Sequence, residues 1–112
     1  MKIDKSLMTG STTMLILKLL ENCDMYGYQM IEELEKRSQN IFTLKAGTLY
    51  PILHSLEQQG MINSYEKEED STRPRKYYSL NKGGRKLLDE KRVEWEVYSS
   101  TVNNILGGLK GV

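Results

Sequence analysis

The chain has 112 residues, which fits one domain with a modest core whose stability can be completed by association. Its 16 Lys and Arg nearly cancel 15 Asp and Glu, so there is no global basic field and any nucleic-acid site must be a local patch. One cysteine, Cys23, and one histidine, His54, exclude an internal disulfide and a Cys/His metal cluster within one chain.

Residues Leu7 to Glu21 read as a first helix, with Ser6, Thr9 or Ser11 as possible caps and Met14, Leu15, Ile16, Leu17, Leu19 and Leu20 apolar nearly all round. Such a helix belongs inside, or inside and against a partner chain. Its run from Met14 to Leu20 is broken by Lys18 and far short of the roughly 20 residues a membrane helix needs. MKIDKSLMTG at the start lacks the apolar stretch of a signal peptide, so a soluble cytoplasmic protein is expected. Cys23 falls in the polar turn Glu21 to Asp24 as a small core or loop residue.

A second helix is expected from Met25 or Tyr26 to Arg37, with Tyr26, Met30, Ile31 and Leu34 inward and Glu32, Glu33 and Glu35 in water. Gly27 lies inside that pattern, where it costs about 1 kcal/mol relative to alanine, so it should permit close approach of a neighbour, the third helix. The link SQNIFTL carries Ile41 and Phe42, which can tuck the loop onto the core.

The third helix, within KAGTLYPILHSLEQQG, places Leu49, Ile52, Leu53 and Leu56 at i, i+3, i+4 and i+7. Its free face carries Thr48, Tyr50, His54, Ser55 and Gln58, all hydrogen-bonding groups, with Lys45 just ahead. Pro51 tolerates only the start of a helix, which puts the first turn near Ala46 to Thr48; Gly60 stops it. Many surface helices look the same, and the working face gains meaning from its context.

That context is a hairpin and a long helix. Met61 to Lys67 and Arg75 to Leu80 read as strands around a polar tip from Asp70 to Pro74, with Tyr78 and Leu80 inward and Arg75 and Tyr77 outward. Asn81 caps the last helix, in which Leu88, Trp95, Val102 and Leu109 recur every seven residues with Tyr98 and Ile105 between, and Lys91 interrupts. About 25 residues span about 38 Å, longer than this domain can cover alone, so the helix should pack on another chain. The glycine-rich tail from Gly107 should fray.

The fold class is therefore mainly α with a small β-hairpin wing (α+β): a winged helix-turn-helix over residues 1–80 and a C-terminal dimerisation helix over 81–112, forming one compact unit. In that module the third helix enters the major groove and the wing lies along the backbone. Arg73, Arg75 and Lys76, beside Ser71 and Thr72, offer charge-assisted bonds to phosphate. A solvated hairpin tip competes with that reading, because Glu66, Glu68, Glu69 and Asp70 cancel much of the charge. Lys82, Arg85 and Lys86 oppose the dipole of the last helix, so they either meet an external anion or stay in water.

GTLYPILHSLEQQGMI, the upstream YGYQM and the downstream RPRKYYSLNKGG closely resemble the PadR family of bacterial transcriptional regulators, over essentially the whole chain from Leu7. The resemblance implies a homodimeric DNA-binding protein, usually a repressor, of the smaller type with a single C-terminal dimerisation helix. It implies groove-facing roles for Thr48, Tyr50 and His54, wing contacts for Arg73, Arg75 and Lys76, and a part for Tyr26 and Gly27 in seating the recognition helix. Lys45 would add non-specific grip. Some smaller members hold an aromatic compound between paired tryptophans, and Trp95 falls at the comparable place, with Met8, Met14 and Tyr98 as supporting residues. An aromatic residue at that position of a dimer helix is usually plain core.

The expected partners are an operator duplex, a second copy and a small aromatic effector, with no membrane and no cofactor. No nucleophile elbow, P-loop or dinucleotide fingerprint is present, so catalysis is not expected. The rivals are a ligand-sensing dimer for planar aromatic compounds and a winged helix used only to bind protein.

Overall fold

The computed structural model describes residues 1–68 and 73–107. The elements are α1 (Lys5–Thr9), α2 (Thr12–Leu19), β1 (Met25–Tyr26), α3 (Gly27–Arg37), α4 (Ala46–Gln58), β2 (Ile62–Lys67), β3 (Arg75–Leu80) and α5 (Lys82–Ile105). The single first helix expected from Leu7 is two. Asp4 caps α1 by accepting from the Ser6 N–H, and the Ser11 and Thr12 hydroxyls donate to the Met8 carbonyl at 3.1 and 3.0 Å. Hydroxyls that satisfy a carbonyl give the backbone an alternative to continuing the helix. Ile16, Leu17, Leu19 and Leu20 from α2 and its end are then buried with Met30, Leu34, Leu49, Leu53, Leu56, Ile62 and Leu80 in one core.

The helix expected from Met25 starts at Gly27, because Met25 and Tyr26 pair antiparallel with Tyr78 and Tyr77 as a third strand. The sheet order is β1-β3-β2. Tyr26 is thus an N-cap rather than part of the buried helical face, and Gly27 is the first helical residue. Phe42 packs on the core from the following loop, whereas Ile41 is 42% exposed, so only one of the two expected anchors is used.

α4 begins at Ala46, as expected, and ends in a full Schellman motif. Gly60 takes φ +78°, its N–H donates to the Glu57 carbonyl at 3.0 Å, and the Met61 N–H donates to Leu56 at 2.9 Å. Pro51 lies inside this helix, past the first turn to which the sequence argument confined it. It cannot donate to the Gly47 carbonyl one turn back, a loss the exposed side of the helix accommodates.

β2 and β3 pair from Ile62↔Leu80 to Lys67↔Arg75. The expected tip residues Asp70, Ser71 and Thr72 lie outside the described residues. Tyr77 does face away from the core but is buried, since Tyr26 and Tyr65 cover it at ring-centroid distances of 5.4 and 5.8 Å. Asn81 caps α5 by accepting from the Gly84 N–H at 2.9 Å. Leu88, expected in a dimer seam, is 1% exposed and belongs to the chain's own core, because the first turns of α5 pack on α2 and β3. The rest of α5 projects: the radius of gyration is 16.2 Å against about 13 Å for a compact chain of this length. Leu109 lies outside the described residues. Arg85 turns to the Glu21 carbonyl at 3.4 Å, so part of the expected basic cluster serves a neighbouring turn.

Candidate nucleic-acid interface

The core side of α4 takes Leu49, Leu53 and Leu56, so the opposite side must carry whatever the helix offers to a ligand. Lys45, Gly47, Thr48, Tyr50, Pro51, His54, Ser55 and Gln58 are all exposed. Tyr50 is 40% exposed and lies over Gly27: a β-carbon built there would sit 2.1 Å from the Tyr50 hydroxyl. The close approach expected of Gly27 is therefore to the third helix, through one side chain. Burial pushes the Tyr50 phenol up, with Tyr78 and Tyr28 adding to it, and burial followed by Glu57 does the same to Tyr78. Both hydroxyls stay protonated near neutral pH. The Tyr50 hydroxyl, protonated and on the wall of a cleft, can donate to an anionic or carbonyl oxygen that enters it.

Around Tyr50 a cleft of about 520 Å³ is lined by Tyr26, Gly27, Tyr28, Arg73, Arg75, Lys76 and Tyr78. It joins α4, the start of α3 and the base of the hairpin in one concave surface. The Arg75 guanidinium sits 4.5 Å over the Tyr26 ring, which fixes the stem while leaving an exposed charge. Lys76 Nζ lies 5.6 Å from the Tyr78 ring and 3.9 Å from Glu57 Oε1.

The expected site residues do not form one row. His54 follows Tyr50 by four residues on the same edge, but Thr48 lies about 160° from Tyr50 around an axis turning about 100° per residue. Thr48 and Lys45 instead line a smaller depression with Lys5, Thr9 and Thr43. The sequence reading missed Tyr28, 63% exposed in the cleft, and Gly47, above which a β-carbon would meet nothing within 4 Å. The signal for Tyr28 was its place beside Gly27, once the close approach was granted.

A second concavity of about 440 Å³ runs between α1 and α5, lined by Leu7, Gly10, Met14, Lys91, Glu94, Trp95 and Tyr98 among others. Trp95 and Tyr98 are 46% and 61% exposed, with ring centroids 6.2 Å apart. Met8, expected beside Trp95, is packed on the core and opens toward Thr48 instead, because the break between α1 and α2 turns it away. Ile105 is 79% exposed farther along the Tyr98 side, and Val102 is half-buried. Among the described residues no helix is long and apolar enough to cross a membrane.

Residues 16–90 match the model of the transcriptional regulator PadR-like family. A solved transcriptional regulator from Clostridium thermocellum superposes with a TM-score of 0.82 at 31% identity, over 88% of this chain and 96% of that one. A PadR family transcriptional regulator from Eggerthella lenta gives 0.81 at 32% identity, over 91% and 87%. The transcriptional regulator YqjI of Escherichia coli is 29% identical over 83% of this chain, which spans 43% of that protein's length.

Proposed function

This chain belongs to the PadR-like family of transcriptional regulators, and we propose that it is a cytoplasmic, homodimeric repressor that binds a pseudo-palindromic operator. Residues 1–80 make the DNA-binding part, and the segment from residue 81 on the dimerisation part, through α5 (Lys82–Ile105). One observation carries the reading: Tyr50 from α4 and Arg73, Arg75 and Lys76 from the wing line one open cleft beside an exposed polar ridge. A helix and a basic hairpin disposed that way suit a major groove and its flanking phosphates. Half-sites would then lie about 34 Å apart, one helical turn.

The side chains divide by task. Tyr50 and His54, neighbours on the ridge, are the base readers; Arg73, Arg75, Lys76 and Lys45 meet phosphate; Thr48 acts at the far edge. Tyr50→Ala and His54→Ala are expected to lower operator affinity about 10-fold each, toward the ~1–3 kcal/mol of a good base contact, with random DNA little affected. Arg75→Ala is expected to weaken all sequences alike and to flatten the salt dependence by about 0.9 in log–log slope. Operator selection from a random library followed by gel shifts with the three variants tests this. Unaltered binding in all three removes these residues from the interface.

A second reading adds an effector. The groove beside Trp95 is apolar on the indole, Leu7 and Met14 sides and bounded by Lys91 and Glu94, which suits a planar aromatic compound. Titration with such compounds is expected to quench Trp95 fluorescence and to shift operator affinity. Quenching without that shift would leave the groove a binding site with no regulatory role.

A further inference from the structure

Glu57 is the one acidic residue on α4, seven residues after Tyr50 on the edge that meets the wing. A carboxylate at that place repels the phosphates the helix is offered to, so its contacts must account for it. Its Oε2 accepts a hydrogen bond from the Ser64 hydroxyl on β2, and its Oε1 lies 3.9 Å from Lys76 Nζ on β3. Three elements of the proposed interface therefore converge on one carboxylate. The Lys76 and Glu57 side chains are 56% and 34% exposed. An ion pair so open to water holds its partners weakly, and a phosphate within reach can compete for the cation. Glu66 is the residue across from Lys76 in the β2–β3 register, yet it is Glu57 that stands within ion-pair distance.

We propose that Glu57 is a positioning residue: it ties the end of α4 to the wing through Ser64 and competes with backbone phosphate for Lys76, so that Lys76 stays paired to Glu57 on random sequence and reaches phosphate only on the operator, lowering sequence-independent affinity. The inference rests on the DNA-binding reading above. Glu57→Gln keeps an acceptor oxygen for Ser64 and removes the charge that holds Lys76. The full chain and this variant are titrated onto a random-sequence duplex between about 50 and 200 mM salt, conditions over which each phosphate contact changes affinity about 3-fold.

Glu57→Gln is expected to bind more tightly, with a log–log salt slope steeper by about 0.9, the release of one further phosphate's counterions. In a Lys76→Met background the same substitution is expected to leave the slope unchanged, since the cation it frees is gone. An unchanged slope in the first comparison overturns the proposal. Equal steepening in both backgrounds also overturns it, because Glu57 would then act as a plain repelling charge. If the unsubstituted protein fails to bind at the lowest salt, the DNA-binding reading falls and takes this inference with it. Binding without the slope change removes only the role of Glu57.

Discussion

Tyr98→Asp is expected to leave each chain folded, to convert the proposed dimer to monomers, and to lower affinity for a palindromic site about 100-fold or more. Tyr98 is 61% exposed in the single chain, so a carboxylate there meets water and costs the monomer little. In a paired helix the same carboxylate is buried in both copies, and a charge left unpaired in an apolar seam costs several kcal/mol each time. Losing the pair removes the intramolecular second contact, which is worth roughly 10²–10⁴ in apparent affinity when two half-sites are engaged together. Val93→Asp is the control. Val93 is equally exposed, but it lies about 140° from Tyr98 around α5 at about 100° per residue, so pairing and DNA binding should persist. Sedimentation or light scattering reads the pairing, and a gel shift on a selected site reads the binding. A dimeric Tyr98→Asp protein would place the seam elsewhere.

Much of this architecture was legible because helical periodicity is local. The stripe Leu49, Ile52, Leu53 and Leu56 gave α4 both its core face and its free face, and Gly60 and Asn81 marked the ends their backbone conformation and side-chain bond require. β1 was not legible, because two residues carry no period and its pairing comes from Tyr77 and Tyr78, some fifty positions away. The seven-residue pattern of α5 reported apolar spacing without saying which chain supplies the cover. Leu88 is therefore covered by its own core, while Trp95 and Tyr98, at the same spacing farther out, stay open.

The candidate site was legible residue by residue and not as a surface. Tyr50 and Thr48 are both polar and both on α4, yet the turn per residue sends them to opposite edges. The contact of Tyr50 with Gly27 depends on how α3 packs, which only the whole fold determines. Glu57 illustrates the same limit from the other side. On the sequence it is one more solvated acid at a helix end, and its partners Ser64 and Lys76 come from two separate strands.

Gly84→Ala is expected to destabilise the chain by about 2 kcal/mol, lowering its melting temperature by roughly 10 °C, although alanine is the better helix former. Gly84 sits in the first turn of α5, where an added β-carbon would stand 2.2 Å from the Met61 carbonyl oxygen and 2.4 Å from Leu80 Cδ1. Neither side can yield easily. The turn is pinned by Asn81, whose side chain accepts from Gly84 at 2.9 Å and donates to the Gly60 carbonyl at 2.8 Å and to Asn63 at 2.7 Å. Relief of the clash must therefore lift α5 from the hairpin, which loosens Leu88 and Leu80 in the core. That cost, about 3 kcal/mol for a backbone clash in a packed interior, outweighs the gain of about 1 kcal/mol in helix propensity. Gly47→Ala isolates the propensity effect, because its β-carbon would point into open space on α4. It is expected to raise stability by about 0.5–1 kcal/mol. Melts at one fixed protein concentration compare the three proteins without a shift from association. A Gly84→Ala protein as stable as the parent would show that the junction of α4, the hairpin and α5 is looser than its hydrogen bonds imply.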